Sequence, residues 1–159
     1  MTLEQRAQKV RKELFSRYDQ LNSLWEKAEE QLCKNHIPRA VLYQFNSYDM
    51  NPGERDVTQM LQCLGLQKIK GKWRISYVEF PDWCECQLEW WTPIIDCSAE
   101  IRVQAAKHVS AFRKHAVESA ETFVPEVDDA IQQLSSALGQ PDNLAELLAE
   151  RAKLNGKPQ

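Results

Sequence analysis

The sequence is poor in glycine and has none of the short motifs on which common enzyme active sites depend. Only 5 of its 159 residues are glycine, and no GxSxG elbow, GxxxxGK(S/T) phosphate loop, GxGxxG turn or HExxH helix occurs. Neighbouring carboxylates, as in Glu29-Glu30 and Asp128-Asp129, fall on predicted helices, where adjacent side chains diverge and form no acid–base pair. The sequence therefore favours a protein that is not an enzyme, and it indicates no catalytic residue.

Long apolar runs, an export signal and a disulfide framework are missing as well. No stretch of about eighteen consecutive apolar residues occurs, which excludes a transmembrane helix. The N-terminal segment is charged throughout, whereas a signal peptide has an apolar centre. The 5 cysteines are an odd number without a repeating spacing. We therefore expect reduced thiols, a cytoplasmic location and no membrane partner.

Length and composition are those of an ordinary globular domain. Of the 159 residues, 43% are apolar and 27% are charged, which suffices for one domain with a sizeable core. The net charge of −3 provides no overall attraction to nucleic acid or to an acidic membrane surface. Binding to either would depend on a local basic patch.

The N-terminal segment carries the clearest pattern in the chain. Apolar side chains recur every three or four residues, which predicts one amphipathic helix about 45 Å long. Thr2 is a candidate N-cap, and Asn35 and Pro38 are expected to end the helix. A helix this long cannot cover its own apolar stripe, so it needs a second helix or a partner. The stripe consists of Leu3, Ala7, Val10, Leu14, Tyr18, Leu21, Trp25, Ala28 and Leu32.

Two elements are predicted between this helix and the middle of the chain. A strand is expected over residues 39–45, where Val41, Tyr43 and Phe45 alternate with other residues. A short helix is expected over residues 56–64, since its apolar residues share one helical side and a glycine follows.

A hairpin is predicted around Lys70-Gly71, because strand-like alternation flanks these two residues. In the expected register Ile69 lies opposite Lys72, and Leu66 lies opposite Ile75. One set of alternate side chains then faces the core: Trp73, Ile75 and Tyr77.

The last third of the chain is expected to be helical. Ser98 is a candidate N-cap for a helix over residues 99–122, and Pro125 is expected to end or kink it. Helical spacing continues to Leu138, and a last amphipathic segment covers residues 142–154.

Strands grouped between helices indicate an α+β fold. We expect the long N-terminal helix to pack against the C-terminal helices as a helical hairpin. Together they would cover one face of a small antiparallel sheet of three or four strands. Residues 1–139 are expected to form a single α+β domain, and residues 140–159 a C-terminal helical arm with a polar tail.

The stretch DWCECQLEWWTP, residues 82–93, is the most chemically loaded part of the chain. Period-two alternation predicts a strand whose inward side chains serve as packing. That inward set is Cys84, Cys86, Leu88 and Trp90. Trp91 has the opposite parity, so it either lines a shallow groove with Trp83 or is covered by another part of the chain.

A zinc or redox site is the alternative interpretation of the cysteines. Cys84 and Cys86 are separated by one residue, whereas zinc pairs and redox pairs have two or more between them. Convergence with Cys97 and a histidine stays open, although no spacing predicts it. His108 and His115 lie seven residues apart, too far to grip one ion, and are expected to bond to neighbours at the border of the apolar stripe. No metal and no cofactor are expected.

The most basic segment is KIKGKWR, residues 68–74. Cations interleaved with an aromatic ring could hold a phosphate backbone. The predicted hairpin turns Trp73 inward, however, and exposed cations on a hairpin also deter pairing between sheet edges. With the acidic balance of the chain, this argues against nucleic acid as the partner. The outward cations are Lys70, Lys72 and Arg74.

The function expected from these observations is that of a non-catalytic, cytoplasmic protein-interaction module: an adaptor, an inhibitor or a self-associating domain. Its partner would be another protein or a second copy of itself. The alternative is a small-ligand or metal-binding domain, or an enzyme, with a pocket near the Trp- and Cys-rich segment. The candidate partner- or ligand-binding residues are Trp83, Trp91, Lys70, Lys72 and Arg74.

Overall fold

The computed structural model describes residues 1–34, 39–139 and 144–155. The chain forms two compact units, Met1–Val117 and Glu118–Gln159. The fold class agrees with the expectation, since a long N-terminal helix, a four-stranded antiparallel sheet and C-terminal helices make up an α+β protein. The predicted boundary between residues 139 and 140 stays a prediction, and residues 140–143 lie outside the described part.

Helix α1 spans Leu3–Lys34. Its start is fixed by a reciprocal pair of hydrogen bonds. The Gln5 backbone N–H donates to Thr2 Oγ1 at 3.2 Å, and the Thr2 backbone nitrogen donates to Gln5 Oε1 at 2.9 Å. This is a capping box. It provides acceptors for two backbone N–H groups at the helix start, which have no carbonyl partner within the helix. The predicted N-cap is therefore confirmed. The predicted stop signals, Asn35 and Pro38, lie outside the described residues.

Four antiparallel strands follow in the order of the chain. They are β1 (Val41–Asp49), β2 (Gln59–Ile69), β3 (Lys72–Pro81) and β4 (Thr92–Pro93). The predicted helix over residues 56–64 is wrong, because most of that segment belongs to β2. Leu61, Cys63, Leu64 and Leu66 point to both faces of the sheet. A strand covered on both faces shows no alternation, so its apolar run resembles a helix.

The hairpin between β2 and β3 is the most accurately predicted element. Ile69 pairs with Lys72, and Leu66 pairs with Ile75, in the expected register. The two turn residues, Lys70 and Gly71, have φ angles of 48° and 82°. A two-residue turn with positive φ at both positions matches the twist of the strands that it joins.

A β-bulge at Phe45 shifts the pairing between β1 and β2. Val41, Tyr43 and Phe45 all face the helices. Because the bulge adds one residue to β1, the alternation shifts after Phe45, and Asn46 and Tyr48 lie on the same face of the sheet as Phe45. As a result, Tyr48 Oη reaches Glu79 Oε1 at 2.5 Å, and Asn46 Nδ2 donates to Gln62 Oε1 at 2.8 Å.

One face of the sheet, which we call the helix face, is covered by helices as expected. The second half of α1 packs there with α2 (Ala99–Ala106) and the start of α3 (Val109–Leu138). The indole N–H of Trp25 donates to the Arg102 carbonyl at 3.3 Å, which ties α1 to α2. The buried residues of this core are Trp25, Val41, Leu64, Leu66, Ile75, Tyr77, Ile94, Cys97, Ala105, Phe112 and Ala116.

The predicted single helix over residues 99–122 is interrupted at Lys107 and His108, which separate α2 from α3. The N-cap is confirmed, since Ser98 Oγ accepts from the Ile101 N–H at 3.4 Å. The break leaves Ala105 and Phe112 fully buried on either side of it. No proline or glycine lies at this break, so it depends on tertiary packing and not on a local sequence signal.

Pro125 neither ends α3 nor separates two helices, since α3 runs through it. Proline has no N–H, so the Glu121 carbonyl lacks its usual helical donor. Both residues are exposed, where water can replace the missing bond at small cost.

The unit Glu118–Gln159 contains the later turns of α3 and helix α4 (Leu144–Asn155). Most described side chains of this unit are exposed, including large apolar ones. Within the described ranges, the helices are either too short or too polar to cross a bilayer.

Candidate functional surfaces

The segment 82–93 is not the predicted strand. Only Thr92 and Pro93 pair with β3, and residues 88–90 form a short 3-10 helix. Local turns use the backbone donors that a strand would offer to its neighbour: Cys84 N–H bonds to the Pro81 carbonyl, and Trp90 N–H to the Gln87 carbonyl. The predicted alternation fails with the strand.

As a consequence, Trp90 is not the buried tryptophan that the alternation predicted. Trp90 is 41% exposed, whereas Trp91 is 8% exposed. The Trp91 ring lies on Gly65 of β2, where an added Cβ would stand 2.4 Å from Cη2. Trp91 is therefore covered, but by the sheet itself, and the same residue also lines the cleft described below.

Trp91 belongs to a second core on the opposite face of the sheet, which we call the loop face. Cys63, Val78 and Phe80 are buried there with it, and Leu61, Ile69 and Cys86 pack at the border. Both faces of the sheet are therefore covered, one by helices and the other by this loop. Trp83 is 74% exposed and belongs to neither core.

Cys86 and Cys97 do not converge on one site. Cys86 packs at the loop face, whereas Cys97 is buried in the core of the helix face. Burial raises the pKa of the Cys63 thiol to about 12 and that of Cys97 to about 11. Both thiols stay protonated, and a protonated thiol is a poor nucleophile and a poor metal ligand. In the described part of the chain, no three His, Cys, Asp or Glu side chains are grouped to hold a metal ion.

Of the two histidines in the third predicted helix, His115 bonds to a neighbour as expected, and both rings lie against aromatic rings of β1. His115 Nε2 lies 3.1 Å from the Leu42 carbonyl oxygen, and its ring is 5.5 Å from that of Tyr43. The ring of His108 is 5.1 Å from that of Phe45. Both imidazoles therefore join the helices to β1.

Four of the five candidate binding residues meet at one cleft of about 720 Å³, which we call the basic cleft. Trp83 is the one that does not line it. The cations come from the β2–β3 hairpin, and Glu89 and Asp96 place two carboxylates at the same opening. The lining comprises Lys68, Ile69, Lys70, Lys72, Arg74, Glu89, Trp91, Thr92, Pro93 and Asp96.

Arg74 has a structural partner outside the basic cleft. Its Nε lies 2.7 Å from Glu29 Oε1 on α1, and the second oxygen of Glu29 accepts from the Ile75 N–H at 3.0 Å. The two-residue β4 leaves this part of the β3 edge unpaired, so a helix carboxylate takes the place of a neighbouring strand. Arg74 thus anchors α1 to the sheet, while the lysines of the cleft are exposed.

The first half of α1 carries an apolar stripe that is exposed to solvent. We call it the α1 stripe; it comprises Leu3, Ala7, Val10 and Leu14, with Phe15 beside it. The exposed fractions are 80% for Leu3, 53% for Val10 and 57% for Phe15. A shallow groove of about 430 Å³ runs along it from Ala7 to Tyr18. The periodic pattern had located this face, but not the fact that it is uncovered.

A second exposed stripe lies on the later turns of α3. Its members recur at helical spacing, and Val124, Ile131 and Leu134 are more than half exposed. We call it the α3 stripe. It comprises Phe123, Val124, Val127, Ile131, Leu134 and Leu138.

Comparison of this chain with known protein families, with curated proteins and with solved structures finds no match. Its contacts, charges and exposed surfaces are therefore the observations that bear on its function.

Proposed function

We propose that this protein is a non-catalytic protein-interaction module and that the α1 stripe is its binding surface. The observation that carries the proposal is the continuous exposure of large apolar side chains along the first half of α1. Single exposed apolar residues are common, but a contiguous apolar face on one helix is typical of a docking surface.

The energy of burial supports this choice. Full burial of a Leu, Val or Phe side chain contributes about 1.5–3 kcal/mol. Between 44% and 80% of the surface of Leu3, Val10, Leu14 and Phe15 is still exposed, so a large part of that contribution is unused. A partner that covers the α1 stripe would recover it.

The proposal includes a cytoplasmic location. All five cysteines are unpaired thiols. Unpaired cysteines are typical of a reducing compartment.

The test compares two double variants with the wild type in quantitative affinity purification from the native lysate. Val10→Lys with Leu14→Lys places two charges on the α1 stripe. Gln8→Lys with Ser16→Lys adds the same charge about 130° or more away around the helix. We expect a defined set of proteins to be recovered with wild type and control and lost with the stripe variant. Equal recovery with all three would contradict the proposal.

A second candidate function is supported by the basic cleft. Its volume of about 720 Å³ lies within the range of roughly 300–1,000 Å³ that is usual for small-ligand sites. Lys68, Lys70 and Lys72 would attract an anionic ligand, whereas Glu89 and Asp96 would weaken that attraction.

Titration of the intrinsic tryptophan fluorescence with a nucleoside triphosphate tests this second candidate, because Trp91, one of the five tryptophans, lines the cleft. A saturable change that is lost in Lys70→Gln with Lys72→Gln supports an anion site. A signal that persists in this variant, or that is absent at low ionic strength, rejects it.

A further inference from the structure

We infer that the partner of the α1 stripe is the α3 stripe of a second copy of this chain. Each copy then contributes both surfaces, so that two copies pair reciprocally about a twofold axis. The inference rests on the proposed function and adds the identity of the partner to it.

Charge selects this pairing. Residues 1–18 contain five basic and two acidic side chains, whereas residues 118–138 contain five acidic and no basic ones. Packing of two α1 stripes, or of two α3 stripes, would bring like charges together, which opposes association. Packing of an α1 stripe on an α3 stripe brings opposite charges together.

The charged residues also stand where they can meet. At about 100° per residue, three arginines lie within about 80° of the centre of the α1 stripe, and three carboxylates within about 110° of the centre of the α3 stripe. These flanking positions are the ones that form ion pairs between two packed helices. They are Arg6, Arg11 and Arg17 on α1, and Glu121, Glu126 and Asp128 on α3.

The apolar area is sufficient for a stable dimer. The two stripes and Phe15 include ten large exposed side chains, each of which can cover on the order of 100 Å² of apolar surface. One helix pair therefore buries on the order of 1,000 Å². A reciprocal dimer forms this pair twice, which reaches the roughly 1,200–2,000 Å² of a standard specific interface.

The test uses charge reversal of the full chain and sedimentation equilibrium. Variant A carries Arg11→Glu and Arg17→Glu, and variant B carries Glu126→Lys and Asp128→Lys. We expect the wild type to be a dimer, and each variant alone to dimerise at least about tenfold more weakly, because each places like charges across both helix pairs.

Mixing the two variants is the decisive step. In an A–B pair, the reversed α1 stripe of A meets the reversed α3 stripe of B, and both remaining stripes are wild type. Opposite charges then face each other in both helix pairs, so we expect the mixture to form a heterodimer. Failure of the mixture to associate would overturn the inference.

The matched control is Lys9→Glu with Lys12→Glu, which makes the same change of charge about 130° or more from the centre of the α1 stripe. We expect it to dimerise like the wild type. Equal weakening in this control would show an effect of net charge alone and would also overturn the inference. A monomeric wild type whose stripe variant still loses specific partners would reject this pairing and leave the proposed function intact.

Discussion

The two halves of α1 have the same spacing of apolar residues, but these residues are covered in the second half and exposed in the first. In the second half, Trp25 is 2% exposed, and Leu21 and Leu32 pack at the border of the core of the helix face. In the first half, Leu3 is 80% and Val10 53% exposed. Spacing thus defines which side of a helix is apolar, whereas the elements that lie opposite decide whether that side is buried.

Two polar contacts mark the covered half. Trp25 donates to the Arg102 carbonyl on α2, and Glu29 binds both Arg74 and the Ile75 N–H on β3. These bonds fix the direction in which the second half of α1 crosses the sheet. The first half instead carries the exposed α1 stripe.

The largest expected effect is a difference in the free energy of unfolding between substitutions in the two halves of α1. Trp25→Ala removes a buried indole and should lower the free energy of unfolding by about 3–5 kcal/mol. Leu14→Ala should change it by no more than about 0.5 kcal/mol, because the side chain is exposed. Urea denaturation of dilute protein, where association contributes little, measures both. Equal losses would contradict the contrast between the halves.

The second prediction tests how tightly residues 82–93 pack on the loop face of the sheet. In Gly65→Ala the new Cβ would stand 2.4 Å from Trp91 Cη2 and 2.7 Å from the Val41 carbonyl oxygen. We expect a loss of about 1–3 kcal/mol in the free energy of unfolding.

Trp91→Leu supplies the control for this substitution. It removes the ring contact but not the carbonyl contact, so the double variant should be more stable than the sum of the single changes predicts. Strict additivity in denaturant unfolding would argue against the contact between Trp91 and Gly65.

A smaller effect distinguishes two adjacent carboxylates of the covered half. Glu29→Ala leaves the Ile75 N–H and the Arg74 guanidinium without their acceptor, which should cost about 1–3 kcal/mol. Glu30→Ala removes only an exposed pair with Lys34 and should cost no more than about 0.5 kcal/mol. Thermal unfolding of both variants makes the comparison. A cost for Glu30→Ala as large as that for Glu29→Ala would contradict it.

The smallest expected effect is on how the free energy of unfolding changes at acidic pH. Burial tends to raise the pKa of Glu79, but hydrogen bonds from Tyr48, Tyr77 and Gln62 outweigh it and lower the pKa below its ordinary value. A carboxyl whose pKa is lower in the folded state stabilises the protein above its unfolded pKa, and that contribution is lost as the pH falls toward the folded pKa.

Glu79→Gln should therefore be less stable than the wild type near neutral pH, and the difference should shrink as the pH is lowered below about 4. Urea midpoints measured across this range test it, with the exposed Glu85→Gln as the control. A difference that does not change with pH would show that the carboxylate does not supply this part of the stability.

Sequence patterns predicted those elements whose local chemistry and burial agree. The β2–β3 hairpin was predicted in register because a two-residue turn separates two segments whose apolar and charged residues alternate next to it. Helix α1 was predicted because the N-cap residue Thr2 and the periodic stripe agree on where the helix starts.

The predictions were wrong where the local sequence pattern and the burial in the folded protein disagree. Residues 82–93 alternate like a strand, but turns after Pro81 remove them from the sheet and bury Trp91 in place of Trp90. The start of β2 has helical spacing because both of its faces are covered. The break at Lys107 and His108 carries no local signal at all.

The candidate binding residues illustrate the same limit. The hairpin cations were located from sequence, yet only the structure shows that Arg74 is engaged by Glu29 and that Trp91 lines the basic cleft with the lysines. Neither contact is local, since Glu29 is 45 residues from Arg74 and Trp91 lies outside the hairpin that carries the lysines.

The amino-acid sequence by itself determined the class of fold, the length and start of α1, the hairpin and its register, and the apolar side of each helix. Each of these follows from hydrogen bonds or periodicity within a few residues. Only the tertiary structure decided which apolar sides are covered, where residues 82–93 run, and which charges meet. Those outcomes depend on contacts between distant segments, and burial on one face or two changes the pattern that a strand displays.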